Sequence, residues 1–208
     1  MASSGRIGRF IRGTFDFLRR PSLRYSVGFL TVFGFIAGIV FWGGLHTGLE
    51  ATNTLEFCIS CHEMRDNVYQ EYKKTIHFQN PVGVRAVCSD CHVPHEWGPK
   101  MLRKMKASFE VWGHLTGYVD TPEKFESHRL ELATHEWERM KAADSRECRN
   151  CHALGSMDLA AQKPSARSSH EGAKTDGQTC IDCHKGIAHK KPVDPNAKEK
   201  DQDFNDIQ

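Results

Sequence analysis

Cysteine and histidine recur in one five-residue pattern, Cys-x-x-Cys-His, at four places: Cys58, Cys61 and His62; Cys88, Cys91 and His92; Cys148, Cys151 and His152; Cys180, Cys183 and His184. These account for all 8 cysteines of the chain. Two cysteines at this spacing can fix a porphyrin through thioether bonds while the adjacent imidazole swings onto the iron, which is the chemistry of c-type haem attachment. Paired Cys-x-x-Cys units would also suit a four-thiolate zinc site or a redox disulfide. Neither of those needs the histidine. With 12 His in 208 residues, four chance placements of His directly after a cysteine pair have odds of roughly one in 10⁵, so attachment is the better reading. The motifs predict four covalently bound haem c groups.

Four irons take up to eight axial ligands, and the motifs offer His62, His92, His152 and His184. Second ligands must come from elsewhere in the chain. His77, His170 and His189 lie in loop-like sequence close to motifs and are the candidates. His114, His128 and His135 fall inside helical patterns, where a solvated or packed histidine is the ordinary case, and His46 stands at the edge of an apolar run. The first motif continues as Cys-His-Glu-Met. Met64, two residues after His62, is most simply a core residue, but a thioether beside a covalent haem can also bind iron and raise its reduction potential.

These groups have to be positioned, and the first element that does so is apolar. Between Arg24 and Glu50 stand 25 residues without Lys, Arg, Asp or Glu. That suits one transmembrane helix over residues 25–49, because about 20 residues at 1.5 Å each cross a hydrocarbon core of about 30 Å. A cleaved signal peptide is the alternative, but its apolar region is usually 7–15 residues and no clear A-x-A site follows. Ahead of the run stand Arg6, Arg9, Arg12, Arg19, Arg20 and Arg24 against a single acid, Asp16. The positive-inside rule then keeps residues 1–24 in the cytoplasm and everything after Glu50 outside. In a bacterium this is a single-pass inner-membrane protein with a periplasmic haem domain, on the side where c-type haem is attached.

The formal charge of +2 divides into six arginines against one aspartate before residue 25, and 22 basic against 25 acidic residues after it. The positive charge belongs to the cytoplasmic stub, which leaves no basic, aromatic-interleaved surface for a nucleic acid.

The fold expected beyond the anchor is mostly α with little regular secondary structure. Motifs one and two begin 30 residues apart and motifs three and four 32 apart, which resembles a duplicated two-haem unit and sets boundaries at 50–118 and 119–190. Few long apolar runs remain, so the porphyrins must supply much of the core. Two helices join the units. Residues 99–118 place Met101, Leu102, Met105, Phe109 and Trp112 on one face, with Lys100, Arg103, Lys104 and Lys106 around it. The second begins at Asp120 as N-cap, with Pro122 in its first turn, and runs to about Ala143. Residues 191–208 form a disordered Pro-, Asp- and Lys-rich tail.

The anchor, the paired motifs and the segments Cys58-Ile-Ser-Cys-His-Glu-Met64, Gly83-Val-Arg-Ala-Val-Cys88, Asp120-Thr-Pro-Glu-Lys-Phe125 and Ser145-Arg-Glu-Cys-Arg-Asn-Cys-His152 together resemble the NapC/NirT family of membrane-anchored tetrahaem cytochromes c over roughly residues 25–190. The resemblance implies a quinol dehydrogenase that takes electrons from menaquinol or ubiquinol and passes them to a periplasmic nitrate or nitrite reductase. It implies that Met64 rather than His62 ligates haem one, that His189 reaches back to another haem, and that Lys104 and Asp120 lie at the quinol pocket. Members serving trimethylamine N-oxide reductases carry a further C-terminal haem domain, which this chain is expected to lack. The residues allow the two quinol-site roles without requiring them. Lys104, on a basic helix face, could bind a quinol oxygen or simply be solvated, and Asp120 could take a proton while serving as N-cap.

Two other classes share these features. The chain could chiefly anchor a periplasmic reductase at the bilayer, in which case it would form a stable complex and oxidise no quinol alone. It could be a haem-based sensor or terminal reductase, which needs an open iron position; the abundance of histidine argues for saturated ligation and electron transfer. The expected partners are quinol, the lipid bilayer and the reductase, with homodimer formation also compatible.

Overall fold

The computed structural model describes residues 8, 9, 12, 13 and 24–193. Most of the cytoplasmic stub and nearly all of the expected disordered tail lie outside the described residues. The chain divides into two compact units, Met1–Glu50 and Ala51–Gln208.

Helix α1, Val27–Ala51, has 25 residues, none of them buried. Its length, about 37 Å at 1.5 Å per residue, exceeds a hydrocarbon core of about 30 Å. It begins two residues later than the charge pattern suggests because Ser26 starts it: the Ser26 Oγ accepts the Phe29 N–H at 3.2 Å, satisfying one of the free donors of the first turn. Its apolar side chains, Phe29, Phe33, Phe35, Ile39 and Trp42 among them, are exposed, the surface expected of a helix solvated by lipid.

From Ala51 onward the described residues are helices and turns with no strand. The short helices are α2 Leu55–Cys58, α3 Tyr69–Tyr72 after a π-helical turn at Met64–Val68, α4 Cys88–His92, α7 Arg146–Arg149 and α9 Cys180–Cys183. The longer ones are α5 Trp97–Leu115, α6 Pro122–Ala142 and α8 Pro164–Asp176. In motifs two and four both cysteines sit on one helical turn, where residues three apart share a face, whereas in motifs one and three the helix holds the first cysteine and ends before the second. Motifs two and four are capped alike. In each, the aspartate before the second cysteine accepts a backbone N–H from just ahead of the helix: Asp90 from Val87 at 2.7 Å and Asp182 from Thr179 at 2.8 Å.

Helices α5 and α6 are joined by a tight reversal. Gly117, at φ +72°, follows the C-cap Thr116, and its N–H reaches His114 O at 3.1 Å while the Tyr118 N–H reaches Gly113 O at 2.9 Å. This is the Schellman arrangement, which needs a left-handed residue and so favours glycine. The N-cap of α6 is Thr121 and not Asp120: the Thr121 Oγ1 accepts the Lys124 N–H at 3.3 Å, because Pro122 takes the first helical position and its missing N–H costs nothing there. Asp120 is thereby free to pair elsewhere.

Buried apolar side chains among the described residues are few: Tyr72, Phe125, Met140 and Ile181. A soluble unit of this size normally buries far more of its apolar surface. What holds the backbone instead is polar. Buried Arg129 on α6 pairs with Glu71 at 2.8 Å and Glu126 at 2.7 Å. Fully buried Ser145, one of two consecutive left-handed residues after α6, accepts the Ile181 N–H at 3.1 Å and so ties the start of motif three to motif four.

Candidate functional site

The four motifs neighbour one another in chain order. Cys58 of the first is hydrogen-bonded to Cys88 of the second. Cys91 of the second lies beside Cys148 and Cys151 of the third, and Cys148 beside Cys180 of the fourth. None of the eight cysteines forms a disulfide.

Each motif histidine also faces one further imidazole. Ring centroids are 6.1 Å apart for His152 and His77, 6.2 Å for His92 and His189, 5.9 Å for His184 and His170, and 5.9 Å for His62 and His114. A metal bonded to one nitrogen of each ring at about 2 Å puts the centroids about 6 Å apart, so this is the spacing that a single iron between two imidazoles requires. The three histidines singled out for their position near motifs thus face three different motif histidines. Two of these pairs, His77 with His152 and His92 with His189, join residues on opposite sides of position 118.

Burial favours the neutral form of three of these rings. His189 is pushed down to about 4 by burial, with the neighbouring His92 adding to it. Burial likewise lowers His77 and His184. His77 Nδ1 and His189 Nδ1 are buried without a hydrogen bond of good geometry. Elsewhere Nδ1 is engaged: His92 Nδ1 lies 2.8 Å from Glu136 Oε1 and His170 Nδ1 lies 2.7 Å from Gln162 Oε1. An imidazole held at Nδ1 presents Nε2 to a metal, the usual second-sphere arrangement. Burial would raise the Glu136 carboxyl, but hydrogen bonds with His92 and Arg139 outweigh it and hold it near 2. Arg139 completes the clamp on motif two by donating to Cys91 O at 3.2 Å.

The loops that present the facing rings are pinned as well. The buried Tyr72 hydroxyl donates its one proton to Ala86 O and has His77 O as a second acceptor at 3.2 Å, fixing the turn that carries His77. Its own ionisation is pushed up to about 12, chiefly by burial. His170 is on a helix, α8, and not in a loop: Pro164 opens that helix and Gly177, at φ +65°, closes it. The sequence reading missed this because the segment is polar, with three serines and only alanines for apolar residues after Pro164, and shows no apolar stripe.

The first motif departs from the other three. Buried Glu63 places Oε1 2.5 Å from His114 Nδ1 and 3.5 Å from His62 Nε2. Burial would raise the Glu63 carboxyl, but His114 and the backbone hold it below its ordinary range. Cys61, Glu63 and His114 bring ligand atoms within 4.8 Å of one another, so a carboxylate stands in the interval between this pair of rings. Met64 opens the π-helical turn and is partly exposed. Glu63 carried no signal beyond its place after the motif, and His114 lay hidden in a helical pattern.

Lys104 and Asp120 approach the first motif from α5 and from the reversal after it. Lys104 Nζ donates to Thr52 O at 3.1 Å and to Thr52 Oγ1 at 2.8 Å, and it is a neighbouring charge for Cys58. Asp120 pairs with Lys124 at 2.7 Å. That hydrogen bond holds its carboxyl below the usual range, with His62 adding a small electrostatic contribution. Any side chain at Gly117 would put its Cβ 3.0 Å from Asp120 Oδ2, a second reason for glycine there.

Residues 20–194 match the NapC/NirT cytochrome c family, N-terminal region. The chain is 60% identical over 189 residues to the denitrification system component NirT of Stutzerimonas stutzeri, covering 91% of this chain and 94% of that protein. It is 57% identical over 192 residues to the cytochrome c-type protein NapC of Escherichia coli (strain K12), covering 92% and 96%. It is 52% identical over 162 residues to a putative tetraheme cytochrome-c type protein of Allochromatium vinosum, covering 78% and 88%. No solved structure matches the chain.

Proposed function

The chain belongs to the NapC/NirT cytochrome c family, and on that premise we propose that it is a membrane-anchored tetrahaem quinol dehydrogenase. It oxidises menaquinol or ubiquinol beside the first motif and passes single electrons through the other three to a periplasmic nitrate or nitrite reductase. Its N-terminus is cytoplasmic and its haem domain periplasmic.

The observation that carries this reading is the three facing ring pairs of motifs two to four, at 5.9–6.2 Å. The scarce apolar core supports it too, since four porphyrins would supply the missing buried surface. Cys58 and Cys61, Cys88 and Cys91, Cys148 and Cys151, and Cys180 and Cys183 would carry the four haems. His92 with His189, His152 with His77, and His184 with His170 would hold three of the irons. For the first, the carboxylate between His62 and His114 favours Met64 as the ligand. When bound, the haems supply reversible one-electron iron couples.

Quinol gives up two electrons and two protons on becoming quinone, so the chain must bind its oxygens and take up protons. Lys104 Nζ, steadied by Thr52, binds one quinol oxygen. Asp120, ionised and held by Lys124, accepts a proton at Oδ2. With haem bound, the paired imidazoles at motifs two to four would occupy both positions of each iron, which speaks for electron transfer over sensing or terminal reduction. The test is quinol oxidation by the full-length holoprotein in lipid vesicles, compared with Lys104→Ala and Asp120→Asn. Wild-type rates in both variants would remove these residues from the site.

A further inference from the structure

Helix α5 exposes its apolar side chains. Leu102 is 51% exposed, Met105 58%, Phe109 76% and Trp112 65%, and their spacing of three, four and three residues puts them on one face. His114 follows Trp112 by two residues, about 200° around the helix, so the stripe points away from the first motif and a haem held there would not cover it. Trp97 and Leu115 are exposed near its two ends.

We propose that this stripe lies in the outer leaflet of the membrane that α1 spans, its apolar side chains inserted at the level of the lipid headgroups. Three observations select lipid over a protein partner. Lys104 on α5 bonds Thr52, the residue directly after the end of α1, so α5 is tethered where the chain leaves the bilayer. Lys104 and Lys106 border the stripe on its two sides, about 80° from Trp112 and about 40° from Leu102, while the one acid of the helix, Glu110, is paired with Arg103 at 2.8 Å, a charge pattern that suits anionic headgroups. Its aromatic members include tryptophan, the residue enriched at membrane interfaces. On this arrangement Lys104 sits at the border between lipid and protein, where a quinol leaving the bilayer first meets the chain.

The proposal rests on α1 spanning the membrane, and the experiment separates the two. The photocrosslinker p-benzoylphenylalanine is placed at position 109 of the full-length holoprotein in its bacterial membrane, and in separate chains at position 33 of α1 and position 131 of α6. After illumination, the expected result is a mass increase of one phospholipid at 109 and at 33 and none at 131, with unchanged haem spectra. A phospholipid adduct at 33 but none at 109, or an adduct at 109 to a second copy of the chain or to another protein, overturns the proposal. Loss of the adduct at 33 as well would overturn the anchor reading itself, and the proposal with it.

Discussion

Arg129 grips Glu71 with two N–H bonds, 2.8 Å and 3.1 Å long, and the pair holds the backbone of Lys190, the residue after His189. Arg129 donates to Lys190 O at 3.3 Å while Glu71 Oε2 accepts the Lys190 N–H at 2.8 Å. A side chain on α6 and one on α3 thus fix the last histidine of the described chain opposite His92.

Arg129→Ala should cost about 1–3 kcal/mol, the range for losing charged hydrogen bonds, and less than breaking a fully buried pair, because Glu71 and Glu126 keep part of their hydration. Denaturant unfolding of the holoprotein measures it. Arg129→Lys should recover only part, because an ammonium cannot reproduce the two-pronged contact. The ligation of one haem should change along with stability in both variants.

Glu136 tests whether His92 is tuned through its far nitrogen. A carboxylate on Nδ1 makes an imidazole a stronger donor to ferric iron. Substitutions of this kind alter ligand affinity by about 10–100-fold, and a tenfold change corresponds to about 59 mV for a one-electron couple. Glu136→Gln should therefore raise one of four reduction potentials by roughly 50 mV or more in a redox titration.

At the first motif the two ligand sets give opposite outcomes. If Met64 binds iron, Met64→Leu changes the low-temperature electron paramagnetic resonance of one haem in four and His114→Ala leaves ligation intact. The reverse pattern would assign that iron to His62 and His114.

A pH dependence follows from Asp120. Because Lys124 depresses its carboxyl, the ionised form persists down through the ordinary carboxylate range and is lost only as pH falls below it. Lys124→Met removes the depression, so the acid limb of the pH–rate profile for quinol oxidation should move to higher pH. Asp120→Asn should abolish that limb.

Much of this was legible in the sequence because it is local. The attachment motifs, the charge-free run of α1 and the extent of α6 each depend on neighbours in the chain. The Asp120 cap was misread because Thr121 offers the same chemistry one residue later and Pro122 decides between them. The ring pairing was not legible. Which histidine faces which motif depends on how distant segments close, through contacts such as Arg129 with Glu71 and Tyr72 with Ala86 that have no local signature. His114 looked like an ordinary helical histidine because nothing in α5 reveals that Glu63 lies opposite.

The most direct measurement is anaerobic mixing of the purified full-length holoprotein in lipid vesicles with menaquinol and, separately, ubiquinol, followed at the reduced-haem α band. The expected result is four haems per chain, with at least one of the two quinols reducing them and Lys104→Ala slowing the reaction without altering the oxidised spectrum. Haems reduced fully by dithionite but by neither quinol would contradict it.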